Sequence, residues 1–219
     1  MSMLVNSYRF GKRTLVEEVL ADGPLAYWPM NDGSGSPGDV SGNGNNLTLS
    51  SGVNSYGAGG LDLSVGTWGG PSLGANTPYT LEAWFLPTGL NPSGNSSNDG
   101  GILTTWSSFK GVMLYQQNAA AIRPFRAYHE SFYIETTTPQ SFGSWHHLVS
   151  TWDGSTVRLY LDGSLESSVS SASVTGRPIL VSQYATSGQR RAGGFGKHFA
   201  VYAAALPAAR ILAHYNAGR

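Results

Sequence analysis

Residues 145–163 read WHHLVSTWDGSTVRLYLDG, and this stretch sets the fold class. Asp153-Gly154 stands between two runs of alternating apolar and polar residues, the strongest short-range signal for a tight antiparallel hairpin. On the second run Val157, Leu159 and Leu161 point to one side and Thr156, Arg158 and Tyr160 to the other, because side chains alternate along a strand. The first set belongs in a core, and the second is expected to be half-exposed. His146 and His147 are strand neighbours that face opposite ways, so they cannot chelate one ion together.

Comparable runs recur on both sides of this hairpin, among them Leu25–Met30, Asn46–Ser50, Leu61–Val65, Tyr79–Pro87, Ile102–Trp106, Gly111–Gln117, Ile122–Tyr128, Phe132–Thr137, Pro178–Tyr184 and Lys197–Ala203. Each is closed by Gly, Asn, Asp or Pro, and no helix pattern separates them, so the expectation is an all-β antiparallel sandwich or barrel. Tyr79–Pro87 is largely apolar on both sides, as a central strand should be. Two helices flank the strands. Thr14 with Glu17 forms a capping-box pattern ahead of Leu15, Val16, Val19 and Leu20, and Asp22-Gly23-Pro24 stops it. Near the end, Pro207 starts a helix whose Ile211, Leu212 and Tyr215 are expected to share a face. Thr88–Gly101 reads as a long polar loop.

Composition narrows the function. The chain has 219 residues with 13 Lys+Arg against 13 Asp+Glu, so a neutral surface offers no attraction for nucleic acid or an anionic membrane. Only 12% of residues are charged, and the absence of Cys excludes a disulfide scaffold, a thiolate metal site and a Cys nucleophile. No apolar run approaches the roughly 18 residues of a membrane span, and no signal-peptide core precedes Lys12 and Arg13, so no membrane insertion is expected.

Three groups of motifs carry a resemblance. LAYWPMNDGSG at residues 25–35 with DVSGNGNN at 39–46 resembles the opening of laminin-G-like domains of the concanavalin A-like lectin/glucanase superfamily. The 145–163 hairpin is similar to that family's central hairpin, and Phe199-Ala200-Val201-Tyr202 followed by Ala205-Leu206 to its closing signature. The resemblance covers Pro24 to Gly218 and implies a jelly-roll sandwich of two antiparallel sheets over residues 24–219, preceded by an anchoring arm and helix over residues 1–23. A second resemblance, looser in its motifs, joins Tyr8-Arg9-Phe10 and VEEVLAD at 16–22 to the lead-in of tail and capsid-surface proteins of actinobacterial bacteriophages. It implies a virion protein, assembled in the host cytoplasm, whose Tyr8, Arg9 and Phe10 anchor it to other capsid or tail proteins, with several copies on the particle.

Because the superfamily includes glucanases, catalysis is tested first. Retaining glycosidases need two carboxylates on one side of a sugar, about 5–5.5 Å apart. Glu130 and Glu135 fall on opposite faces of a continuous strand, Asp162 and Glu166 are split by the turn at Gly163, and Glu82 stands alone in an apolar run. The expectation is no enzyme. The resemblance also implies two binding traits. One is calcium, for which Asp32, Asp39, Asn43 and Asn45 offer hard oxygens, although the same residues suit a compact turn with no ion. Lys197-His198 occupies the place where the family often has an acidic pair, which weighs against the cation. The other trait is glycan binding, for which Trp68, Trp106, Tyr115 and Tyr184 offer rings near predicted loops and Asn98 and Asp99 offer polar groups. The function expected is a non-catalytic virion surface protein that displays a lectin-like domain toward a host cell-surface glycan. The alternatives are a bacterial carbohydrate-binding or adhesion module and a glycoside hydrolase of the same fold.

Overall fold

The computed structural model describes residues 12–89, 99–105, 112–117, 124–138, 140–182 and 191–219, with the backbone alone at 99, 113 and 117. One antiparallel sheet contains β1 (Ala26–Trp28), β3 (Tyr56–Gly57), β4 (Gly60–Asp62), β6 (Tyr79–Pro87), β11 (His146–Trp152), β12 (Thr156–Leu161), β13 (Ser164–Ser170) and β15 (Gly194–Tyr202). Its order is β13-β12-β11-β6-β15-β4-β3, with β1 also paired to β15. The other sheet contains β2 (Thr48–Gly52), β5 (Gly66–Leu73), β7 (Asp99–Thr104), β8 (Val112–Gln117), β9 (Phe125–His129), β10 (Phe132–Glu135) and β14 (Arg177–Val181), in the order β10-β9-β8-β7-β14-β5-β2. These neighbours far apart in sequence are those of a jelly roll rather than of a simple meander.

Between the sheets lies one continuous core built around Trp28, Trp68, Phe85, Phe125, Trp152 and Phe199. The 145–163 hairpin forms as its alternation dictates: Trp152 faces Val157 across the turn, and Val157, Leu159 and Leu161 enter the core. The Asp153 carboxylate closes the turn by accepting the Ser155 and Thr156 amides, which is why Asp-Gly suits the position.

A second apolar layer covers the outer side of the first sheet. Helices α1 (Leu15–Ala21) and α2 (Ala208–Gly218) press Leu15, Val19 and Ile211 onto Tyr27, Trp84, Val149, Tyr160 and Tyr202. The middle of the first sheet is therefore buried on both sides, with β6 buried along its whole length, while its edge strand β13 stays largely exposed. Helix α1 has the full capping box, Thr14 accepting from the Glu17 amide and Glu17 accepting from the Thr14 amide. Seven residues are too few for a stable isolated helix, so α1 depends on this packing. Fully burying side chains such as Val19 and Ile211 contributes about 1.5–3 kcal/mol each. Among the described residues no helix is long and apolar enough to cross a membrane.

The structure changes five expectations. Tyr160 is buried rather than half-exposed, because the helices cover its side of the sheet. In α2 the buried face carries Ile211 and His214, while Leu212 is 45% exposed. Helix α1, grouped by sequence with an arm, packs on the domain, and residues 1–11 lie outside the described residues. The polar stretch after Thr88 gives way to strand at Asp99. The eight-residue strand β5, GTWGGPSL, appears where glycines and proline read as loop.

Candidate functional site

The two outward sides of the sandwich hold different chemistry. Under the helices, Glu82 of β6 is buried with both oxygens engaged. His147 Nε2 donates to Oε1 at 2.8 Å, Tyr202 Oη donates to Oε2 at 3.1 Å, and His214 Nδ1 lies 3.0 Å from Oε2. The other nitrogen of His214, Nε2, is 3.0 Å from Asp22 Oδ2. Asp22 in turn pairs with Arg210, which also reaches Glu18. Burial alone would raise the Glu82 pKa, but hydrogen bonds from His147 and His214 and their charge hold it well below the usual carboxylate range. Burial opposes charge on His214 too, yet its hydrogen bond to Glu82 and the field of Glu82 and Asp22 raise its pKa. This network ties both helices to the central strand and has no opening to a substrate.

The Asp39 turn is equally self-contained. Asp39 Oδ1 accepts from the Tyr27 and Ser41 amides, and Oδ2 from Ser41 Oγ and the Asn45 amide. Four protein donors fill the acceptor positions of one carboxylate. Asn43 and Asn45 point their amide nitrogens at the Leu25 carbonyl, and Asn43 also at that of Pro24. Asp32 accepts from the Gly38 amide. Asp39, Asn43 and Asn45 build the compact turn through these bonds, and Asp32 orders the neighbouring one. Among the described residues no group of three His, Asp or Glu side chains could hold a metal ion. Lys197 lays its ammonium over the Trp145 ring, 4.3 Å from the centroid. His198, at a bulge with φ of 50°, hydrogen-bonds Tyr27 Oη, and burial with the nearby Lys197 pushes its pKa down to about 4.

The outer side of the second sheet presents rings instead. In the hairpin of β9 and β10, Tyr128 pairs with Tyr133 and Arg126 with Glu135. Alternation turns these four outward while Phe125, Ala127 and Ile134 enter the core. The Tyr128 and Tyr133 centroids are 5.4 Å apart, and Tyr133 is 44% exposed. Arg126 stacks its guanidinium 4.1 Å from the Tyr133 centroid and donates from Nε to Glu135 Oε2 at 2.8 Å. From β8, Tyr115 receives a hydrogen bond from Arg126 and packs its ring 5.4 Å from that of Tyr128. The result is a platform of aromatic and planar polar groups on the rigid edge of a sheet.

A sequence profile of the concanavalin A-like lectin/glucanases superfamily, of laminin-G type, matches residues 58–212. The chain belongs to this superfamily. The lectin-like fold extends to solved structures of low identity. Domain 4 of AbnA, an extracellular GH43 arabinanase from Geobacillus stearothermophilus solved in complex with arabinotriose, is 15% identical with a TM-score of 0.66, covering 88% of this chain and 98% of that one. The binding domain of Paraclostridial Mosquitocidal Protein 1 is 16% identical with a TM-score of 0.63, covering 90% of this chain and 52% of that one. Trypanosoma rangeli sialidase is 12% identical with a TM-score of 0.67, covering 88% of this chain but 32% of its own. At such identities the likeness is one of fold. No curated protein sequence matches the chain significantly.

Two expected glycan residues of this lectin-like domain are corrected by burial. Trp68 lies wholly within the core, its indole nitrogen donating to Asn54 Oδ1, so it presents no ring to a sugar. Tyr115 is 1% exposed and packs beside the platform, in register with Arg126 and against Tyr128. Trp106, Tyr184, Asn98, Tyr8, Arg9 and Phe10 lie outside the described residues, and Asp99 opens β7 with its side chain likewise outside them. Arg126, Tyr128, Tyr133 and Glu135 were missed. The signal was available: FRAYHESFYIE at 125–135 alternates around a turn at Glu130-Ser131, which sets Arg126 and Tyr128 opposite Glu135 and Tyr133. Reading that stretch as strands without a tight turn hid the pairing, and Glu130 (φ 55°) sits in the turn with its carboxylate on Thr175.

Proposed function

We propose that the domain holds glycans without transforming them. One observation carries this reading: every acidic residue whose side chain is described accepts hydrogen bonds or ion pairs that build the fold. Glu17 caps α1, Glu18 and Asp22 bind Arg210, Asp32 and Asp39 order the 31–46 turns, Asp62 binds Ser64, and Glu82 is buried in its network. Glu130 binds Thr175, Glu135 binds Arg126, Asp153 binds Arg158, Asp162 binds the His147 amide, and Glu166 binds Thr137 and Thr138. A hydrolase needs an acid and a base or nucleophile poised over one bond, and each of these carboxylates is instead engaged in holding the fold. Tyr128 and Tyr133 instead give the stacking surface that sugar rings require.

The resemblance of residues 8–22 to phage tail and capsid-surface proteins supports placing the module on a virion, as decoration or as a minor tail protein, attached through residues 1–11. Many copies on one particle raise avidity by about 10²–10⁴ over a weak single site. The same platform would serve a bacterial adhesion module. A glycan array probed with multimerised protein tests the reading: wild type is retained on a subset of glycans and Tyr133→Ala is not. Retention of nothing, or release of reducing ends from any polysaccharide by purified protein, overturns it. Immunogold labelling of a phage particle that encodes the chain tests the location.

A further inference from the structure

Resting on the platform as a glycan site, we infer that the Arg126–Glu135 pair makes it selective for neutral saccharides, with Glu135 the residue that turns acidic sugars away. Arg126 and Glu135 are the sole Asp, Glu, Lys or Arg residues in the sequence of β8, β9 and β10. Two nitrogens and one face of the cation are engaged. Its Nε donates to Glu135 Oε2 at 2.8 Å, its Nη1 donates to Tyr115 Oη at 3.1 Å, and its Cζ lies 4.1 Å from the Tyr133 centroid. Its side chain is 13% exposed against 46% for Glu135. A ligand approaching this row therefore meets the carboxylate before the guanidinium.

That asymmetry has a chemical consequence. Among the described residues no protein group donates to Glu135 Oε1, which leaves an acceptor suited to the hydroxyls of a neutral sugar stacked on Tyr133. The carboxylate of a uronic or sialic acid would meet like charge there. To take the Nε donor of Arg126 it would have to displace Glu135 from a charge-assisted hydrogen bond. Glu130, the nearest other acid in sequence, sits at the hairpin tip with its oxygens on Thr175, and as an anion it would only add to that repulsion.

Glu135→Gln keeps the size and hydrogen-bonding capacity of the side chain but uncovers the positive charge of Arg126. The test compares wild type, Glu135→Gln, Glu135→Asp and Tyr133→Ala on neutral oligosaccharides and on uronic-acid and sialylated ones of matched length, at low and high salt. The expected result is that wild type prefers the neutral set. Glu135→Gln should shift the acidic-to-neutral affinity ratio by about tenfold, equivalent to about 1.4 kcal/mol, and lose that gain at high salt. Glu135→Asp should restore the wild-type order, and Tyr133→Ala should lose both sets. A wild type that binds acidic glycans as well as neutral ones overturns the inference while leaving the platform in place. So does an unchanged ratio in Glu135→Gln, with its melting temperature confirming the fold. Absence of Tyr133-dependent binding to either set overturns the platform itself.

Discussion

The two sheets expose one side each to something other than the shared core, and they use it in opposite ways. The first sheet buries its outer side under α1 and α2 and places there a charged network of Glu82, His147, His214 and Asp22. The second keeps Tyr128, Tyr133, Arg126 and Glu135 at the surface, where their pairing orders a platform. Charge under the helices is sealed and structural. On the other sheet it borders water, where a ligand can reach it. A carboxylate in this chain is thus read by what covers it rather than by its residue type.

Four measurements break or sharpen this contrast. The largest effect belongs to Glu82→Ala, which leaves His147, His214 and Tyr202 facing a void. Breaking a buried ionic cluster from one side costs about 3–5 kcal/mol, so the urea midpoint should fall steeply. A loss near the surface-mutation range would mean that the network is not sealed.

Next comes the pH dependence of His214. Its raised pKa makes its contribution full below the unfolded value near 6.5, and this is lost as pH rises through the folded value. Glu82, whose pKa is depressed, runs the other way: its contribution holds above its unfolded value of about 4.3 and fades as pH falls through the folded value. His214→Gln should cost about 1.5–3 kcal/mol near pH 6, and the gap to wild type should narrow in thermal melts as pH rises above the unfolded value and through the raised folded one. A gap that stays constant across that range would show the imidazole acting uncharged.

Thr14→Ala removes the cap of α1 and should cost about 1 kcal/mol. Hydrogen exchange in α1 should accelerate without a change in the β9–β10 hairpin. Smallest in stability is Tyr133→Ala, expected within about 0.5 kcal/mol of wild type because the side chain is half in water, while glycan retention is lost. A large drop in stability would make the platform a structural surface.

The legible parts of the fold are those with local cause. The Asp153-Gly154 turn, the capping box at Thr14 and the doubly apolar β6 each announce themselves within ten residues. Strand β5 does not, because its glycines answer to distant partners. A Cβ on Gly66 would lie 2.6 Å from the Val53 backbone oxygen as well as 2.5 Å from the Trp68 ring, and one on Gly70 would lie 3.2 Å from Trp28 and Leu47. Those positions are small so that tryptophans can fill the core, and a local reading takes smallness for a loop. The Glu82 network is hidden for the same reason, its partners lying 65, 120 and 132 residues away. An acid alone in an apolar strand was a visible sign of a buried partner, but not of which one. On the open side, the alternation from 125 to 135 held the platform in plain form once the turn at Glu130-Ser131 was placed.

Lys12 reaches the backbone oxygen of Asn216, and Gly218 touches Trp84 and Leu15, so both ends of the described chain converge on the helix side. Whatever is attached at Arg219, be it a scaffold, a fluorophore or a sensor chip, departs from the helix side of the molecule and leaves the tyrosines of the other sheet facing the medium. Orientation on a support is thereby built into the chain path, and a tether of a few residues at Arg219 suffices to present the Tyr128–Tyr133 side outward.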